Sequence, residues 1–174
     1  MKNILVIGAA GQIGSELVPA PRKLGFMTVA GFSRTPLTPE LAAGGPSERI
    51  DILDGTGLVD VIRRHRIDTV FNLAAMLSAK AEAQPLSAWN VGVNGLLNVL
   101  EAARIEHCAV FTPSSIGVFG DSTPHAKTPQ DTVCRPKTVY GITKVTGELL
   151  SDYYFLKYGV DTRSVRYPGL ISSV

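Results

Sequence analysis

The fold class this sequence predicts is α/β: a doubly wound parallel sheet of the Rossmann type, in three layers. Three observations predict it. Short apolar runs alternate with longer stretches of helical period along the whole chain, and strict alternation of strand and helix implies parallel strands joined by right-handed crossovers. Most of the apolar runs lack the polar-outward alternation of a half-buried strand, as strands covered by helices on both faces do. The turn after the first run is G-x-x-G-x-x-G, and the first strand-to-helix turn is where such folds hold a pyrophosphate. A chain of 174 residues is enough to bury the core of one such domain.

The elements follow in order. "NILVIG" (3 to 8) is a buried strand, and "VIGAAGQIGSEL" carries it through Gly8, Gly11 and Gly14 into a helix. The first glycine permits a tight turn, the second lets the backbone approach a pyrophosphate, and the third lets helix pack close to strand. Phosphates would sit at the positive helix N-terminus. Because the motif ends a strand and opens a helix, its context favours nucleotide binding over a glycine-rich turn of no special purpose. The helix, 12 to 24, contains Pro19 and Pro21. An interior proline removes a helical hydrogen bond at about 3 kcal/mol, so a kink or early stop is expected there. "MTVAGF" (27 to 32) and "RIDI" (49 to 52) are the next strands, followed by a helix over 55 to 66 and the strand "DTVFNLA" (68 to 74). The helix over 85 to 104 has the clearest pattern: Leu86, Trp89, Val93, Leu96, Leu100 and Ala103 step by three and four, the period of one helical face. "AVFTPS" (109 to 114), a helix over 139 to 158 and "DTRSVRY" (161 to 167) complete the alternation, with no internal repeat or low-complexity linker.

Composition narrows the function classes. The chain is 45% hydrophobic and 18% charged with a net charge of +2, and its longest basic run is "RRHR" at 63 to 66, so a nucleic-acid partner is not expected. Cys108 and Cys134 form no CxxC, and His65, His107 and His125 are scattered, which gives no support for a metal site. The apolar run in "MKNILVIGAAG" is too short to span a membrane and lacks the layout of a signal peptide. The expectation is a cytoplasmic, reducing setting with no membrane partner.

"TVYGITK" (138 to 144) puts Tyr140 and Lys144 four positions apart. On a helix those positions share a face, and a cation at close range favours the phenolate form of a phenol. That arrangement can make a proton-transfer group that works near neutral pH. An ordinary amphipathic helix with an aromatic and a lysine would read the same way.

Taken together, G-x-x-G-x-x-G, "NLAA" (72 to 75) after the fourth strand, a serine pair after the fifth and Y-x-x-x-K on the next helix resemble the extended short-chain dehydrogenase/reductase family, which contains the sugar-nucleotide epimerases. The resemblance covers essentially the whole chain. "NLAAMLSA", "TPSSIGVFGDSTP", "TPQDTV", "VYGITK" and "VRYPGLIS" are similar to its L-threonine 3-dehydrogenase branch. The resemblance implies an NAD- or NADP-dependent oxidoreductase acting on a small hydroxy compound such as L-threonine. Sugar-nucleotide epimerase or dehydratase, and a non-catalytic dinucleotide-binding module, are the alternatives. Tyr140 is implied as general base, Lys144 as its activator and a partner of the nicotinamide ribose, and Ser115, five residues before Gly120, as the hydroxyl that holds the substrate oxygen; Ser114 is expected to be structural. Ser78 is implied as a substrate contact, although a helix-cap reading fits it equally well. The same resemblance places Gly8, Gly11, Gln12, Ile13 and Gly14 around the pyrophosphate, and Ser33 and Arg34 at the adenosine ribose. Asp51 and Ile52 border the adenine, Leu73, Ala74 and Ala75 line the middle of the cofactor, and Tyr167, Pro168 and Leu170 approach the nicotinamide. It also implies a homodimer in which the helices over 85 to 104 and 139 to 158 pack against their symmetry mates.

Three departures from the family pattern stand out. "AGFSRTP" offers Phe32, Ser33 and Arg34 where an acidic residue is usual, and an arginine there suits a 2′-phosphate, which keeps NADP beside NAD. Gly92 stands where the family usually has an asparagine. Family members also continue well beyond the position of Val174 into a substrate-binding lobe, so residues 1 to 174 are expected to be the dinucleotide-binding domain.

Overall fold

The computed structural model describes residues 1–169. Its strands are β1 (Asn3–Ile7), β2 (Met27–Phe32), β3 (Ser47–Arg49), β4 (Thr69–Asn72), β5 (Ala109–Phe111), β6 (Ser114–Ser115), β7 (Thr162–Arg163) and β8 (Arg166–Tyr167). Six of them form a parallel sheet in the order β3-β2-β1-β4-β5-β7, and β6 pairs with β8 in a short parallel ladder of its own. The expected doubly wound parallel architecture is therefore present. Its helices are α1 (Gln12–Leu17), α2 (Pro19–Lys23), α3 (Pro39–Ala43), α4 (Gly55–Arg64), α5 (Ser78–Ala83), α6 (Pro85–Trp89), α7 (Gly95–Glu106) and α8 (Val139–Tyr158).

Alternate residues of β1 serve opposite faces, which sets the three layers. Leu5 and Ile7 join Val29, Val70 and Val110 beneath α4 and α7, in a cluster with Leu58, Ile62, Val99 and Leu100. Ile4 and Val6 join Ala30, Val18 and Leu41 on the other face. Such two-sided burial is why β1, β2 and β4 read as continuous apolar runs. The sheet order reverses between β1 and β4, and crevices beyond the C-terminal ends of strands at a reversal are where ligands bind in open α/β sheets.

Four local departures have physical causes. The third strand lies at Ser47–Arg49 rather than 49 to 52: it is an edge strand paired only with β2, so polar residues suffice. The apolar Ile50 and Ile52 just after it are buried in the core instead. The run predicted over 109 to 114 is divided at Thr112 and Pro113. Thr112 N donates to Arg163 O at 3.0 Å and Ser114 N to Val165 O at 2.9 Å, so the strand carries on past the break. Pro113, which belongs to the set of residues facing β4, has no N–H to offer that side. The helix predicted over 12 to 24 is interrupted at Val18, as the expected kink or stop: Pro19 and Pro21 lack the N–H groups that would bond back to the preceding turn.

The fourth departure lies between α6 and α7, where Asn90–Asn94 form a single π-helical turn and Gly95 N bonds to Asn90 O. The extra residue in that turn shifts the helical phase. Val93, Leu96, Leu100 and Ala103 are buried as expected, but Leu86 and Trp89 face outward at 81% and 41% exposure.

Candidate active site

The glycine turn packs as its spacing predicts. Gly8 has φ +85°, and a Cβ on it would stand 3.1 Å from the Leu73 carbonyl carbon and 3.2 Å from Ala74 N. Only glycine lets β1 end against the β4 loop in that conformation. Gly8 N and Ala9 N both donate to Gly31 O, at 3.0 and 2.9 Å, and Leu73 N donates to Ile7 O at 2.9 Å, so the turn is bound to both neighbouring strands. A Cβ on Gly14 would lie 2.7 Å from Ala9 Cα and would collide with the Gly8 carbonyl, which fixes α1 tight against β1. Gln12 is exposed and Ile13 half-buried in the first turn of α1. Ser33 and Arg34 are exposed just past the end of β2. Asp51 Oδ1 accepts from Leu53 N at 3.0 Å. Ile52 points its side chain into the core against Gly95, so the Ile52 face turned to the crevice is backbone. Ala74 is half-buried and Ala75 exposed beyond β4, and Ser78 is exposed at the first position of α5.

Opposite the glycine turn, α8 presents the proton-transfer candidates. Thr138 Oγ1 caps it by accepting from Gly141 N at 3.0 Å, and Gly159, in the left-handed region at φ +71°, ends it. Lys144 Nζ lies 5.6 Å from the centre of the Tyr140 ring and donates to Pro113 O at 2.8 Å. That carbonyl is free because Pro113 stands beyond the end of β4, on the side where β4 would have paired. Burial pushes the Lys144 ammonium down to about 8. A Cβ on Gly117 would stand 3.3 Å from two Tyr140 ring carbons and 3.4 Å from Ser115 Oγ, so the phenol and the serine hydroxyl meet across that glycine. Ser115 Oγ accepts from Gly117 N at 3.1 Å, and Tyr167 lies beside Ser115 in register on β8. Pro168 is exposed after Tyr167, and Leu170 lies outside the described residues.

The cleft lined by Tyr140, Lys144, Asn72, Ala74 and Ala75 also contains residues the sequence did not single out: Thr143, Glu148 and Ser164. Ser114 Oγ, buried, donates to Glu148 Oε1. Arg166 grips the same carboxylate with both arms, Nε to Oε1 at 2.9 Å and Nη2 to Oε2 at 2.8 Å. Burial opposes charge on Glu148, yet Arg166 and Ser114 hold it below the usual carboxylate range. Ser114 is thus committed within the protein, while Ser115 is turned toward Tyr140. No local spacing announces this network, because its members meet only after folding. The Arg22 guanidinium escaped notice for the same reason: it donates to Thr28 O, Leu41 O and Pro46 O, at 3.2, 2.7 and 2.8 Å, tying α2, α3 and β2 together. Among the described residues no group of three or more His, Cys, Asp or Glu side chains could hold a metal ion, and no helix is long and apolar enough to cross a membrane.

Known proteins share this fold. Residues 4–173 match the NAD dependent epimerase/dehydratase family. An uncharacterised epimerase/dehydratase of Staphylococcus epidermidis is 51% identical over the whole chain, which covers 55% of that relative. Among solved structures, an L-threonine dehydrogenase from Clostridium difficile superposes with a TM-score of 0.95 at 48% identity, over 99% of this chain and 55% of its own. A UDP-glucose 4-epimerase from Thermotoga maritima superposes with a TM-score of 0.88 at 26% identity, over 95% and 55% respectively. The chain thus spans about half the length of the relatives it matches. A glycine turn at the sheet reversal, a tyrosine and lysine one helical turn apart, and a match along nearly the full chain lead to one assignment: the protein belongs to the NAD dependent epimerase/dehydratase family.

Proposed function

We propose that this chain is the dinucleotide-binding domain of an NAD-dependent dehydrogenase that oxidises L-threonine at its secondary hydroxyl, giving 2-amino-3-oxobutanoate. The residues present fit a dinucleotide. Gly8 and Gly14 let β1, the loop after β4 and α1 pack closely, and Gly11, Gln12 and Ile13 at the start of α1 would border a diphosphate at that turn. Ser33 and Arg34 would hold the adenosine ribose, Asp51 and Ile52 the adenine edge, and Leu73, Ala74 and Ala75 the middle of the molecule. Tyr167, Pro168 and Leu170 would complete the nicotinamide end. When bound, NAD supplies the acceptor for a hydride.

The chain's own residues then handle the proton and the oxygen. Ser115 donates a hydrogen bond to the substrate oxygen, and Ser78 contacts the substrate from α5. Tyr140 takes the hydroxyl proton as the C–H bond on the same carbon breaks, so the alcohol leaves as a ketone. Lys144 would offset the negative charge left on Tyr140 and would bond the nicotinamide ribose. The observation that carries this reading is the Tyr140 ring with the Lys144 ammonium 5.6 Å from its centre and with Gly117, the glycine also beside Ser115 Oγ, against its edge. Its substrate rests on the 48% identity to the Clostridium difficile enzyme. A reducing, cytoplasmic setting accords with the free thiols of Cys108 and Cys134.

The test uses the longer enzyme that contains this chain, following reduced nicotinamide by its near-ultraviolet absorbance with L-threonine and either NAD or NADP. Tyr140→Phe is expected to lower kcat by about 10²- to 10⁴-fold with NAD binding nearly unchanged. An unchanged kcat would overturn the mechanism. Turnover of UDP-sugars in place of threonine would favour the epimerase reading, which the Thermotoga maritima likeness also supports.

A further inference from the structure

Tyr140, Lys144 and Glu148 stand at successive i, i+4 positions of α8, and a lysine and a glutamate so spaced ordinarily attract one another. Here they do not pair. Among the described residues the ion-pair partner of Glu148 is Arg166, while Lys144 donates to the Pro113 carbonyl. We propose that Arg166 guards Lys144: by occupying both oxygens of Glu148 it keeps that carboxylate from capturing the ammonium one helical turn away, and so leaves Lys144 on Pro113 O and over the Tyr140 ring. Glu148 and Arg166 are then positioning residues, and their role rests on the reading of Lys144 as the partner of Tyr140 and the cofactor ribose.

The geometry leaves Glu148 one open acceptor position, on Oε2. Oε1 accepts from Ser114 Oγ and Arg166 Nε, and Oε2 accepts from Arg166 Nη2. Arg166 is itself held in place: its third donor reaches Gln130 O at 3.1 Å and its guanidinium stacks on the Phe119 ring at 5.4 Å. A planar fork on a carboxylate is stiffer than a lysine on the same group, so Arg166 wins the competition for Glu148 at little entropic cost. Tyr140 and Glu148 on α8 line the same cleft as Lys144, and the charged groups bound to them are Arg166 on β8, at Glu148, and Glu82 on α5, at Tyr140. Glu82 is engaged at 3.3 Å with the backbone N–H of Tyr140. Burial is what pushes the ammonium down to about 8. The same network ties β6 and β8, which carry Ser115 and Tyr167, to the helix that carries Tyr140, so the guard also sets the spacing between the serine and the phenol.

The test titrates Lys144 by NMR of its side-chain carbon next to the ammonium in the cofactor-free chain, the resonance being assigned by its loss in Lys144→Met. Arg166→Gln frees Glu148 and should raise the Lys144 midpoint by about one pH unit or more, as an opposite charge nearby does. Ser114→Ala opens one acceptor on Oε1 and leaves no charge unpaired. It should give a smaller shift of the same sign, and it remains informative if Arg166→Gln fails to fold. The double variant Glu148→Gln/Arg166→Gln should return the wild-type midpoint, and Arg166→Lys, which keeps the charge but not the two-armed grip, should give a smaller rise than Arg166→Gln. NAD binding by calorimetry should weaken roughly tenfold in Arg166→Gln, the loss of one charge-assisted hydrogen bond, and recover in the double variant. An unmoved midpoint in both Arg166→Gln and Ser114→Ala, or an equal rise in the double variant, would overturn the proposal. Failure of the wild-type chain to bind NAD would instead remove the functional reading and leave the titration result standing.

Discussion

Lys144 gives the most direct titration consequence of any residue here. Its ordinary value is 10.5 and burial lowers it to about 8, so between those values the unfolded chain binds more protons than the folded one. Stability must therefore rise with pH across that window. Lys144→Met removes the contribution, and urea unfolding at several pH values should give a wild-type curve that climbs relative to the variant's between about pH 8 and 10.5. A difference that stays flat would mean the ammonium is solvated. Cys108, pushed up to about 11 by burial, acts in the opposite sense and cancels in the comparison of the two proteins. At this scale, the candidate site was legible where it is written in local spacing, in three glycines at intervals of three and in Tyr140 and Lys144 at four, while Ser115 rests on the family resemblance. Glu148 and Arg166 lie 18 residues apart, and nothing in either segment marks the other. Only the fold brings them together.

Secondary-structure elements were legible in proportion to how deeply they are buried. β1, β2 and β4 lie in the sheet interior, so their composition carried the signal. β3 has a neighbour on one side only, and its Ser-Glu-Arg sequence has no strand signature. The helical turn at Asn90–Asn94 shows the limit of pattern reading, because a single extra residue moved Leu86 and Trp89 off the buried face. Gly92 sits in that turn, and a Cβ on it would stand 3.1 Å from Thr143 Cβ and 3.2 Å from Thr143 Oγ1 on α8. The glycine therefore sets how closely α8, with Tyr140 and Lys144, approaches the helix before it. Gly92→Asn, which installs the residue usual in this family, should cost about 1–3 kcal/mol through overpacking, read as a lower urea midpoint. Adding Thr143→Ala should recover most of the loss. A Gly92→Asn chain as stable as wild type would show that the two helices part freely.

Considered as a whole, the molecule has an outer surface that its own core does not use. Leu86 and Trp89 on α6, with Leu149, Phe155 and Leu156 on α8, are exposed, Leu156 at 80%. Tyr154 donates to Glu101 at 2.6 Å, which ties α8 to α7. We propose that two copies associate through these helices, and light scattering at micromolar concentration should report a dimer. A monomer there would count against the proposal. Trp89→Glu together with Leu156→Glu should convert a dimer to monomers, since a charge in an apolar contact is not compensated.

The proline that divides the fifth strand has an effect on motion as well as on shape. Past Pro113, which offers no N–H toward β4, the pairs that carry Ser115 and Tyr167 form a two-residue ladder apart from the six-stranded sheet, joined internally by Ser114 N on Val165 O and tied to α8 by the Arg166 fork on Glu148. Elements with few buried apolar contacts open at lower free energy than the core. Hydrogen exchange should accordingly be slowest in β1 and β4 and much faster at the amides of this short ladder. The layer that carries Ser115 can then breathe on its own while the nucleotide platform beneath it stays shut.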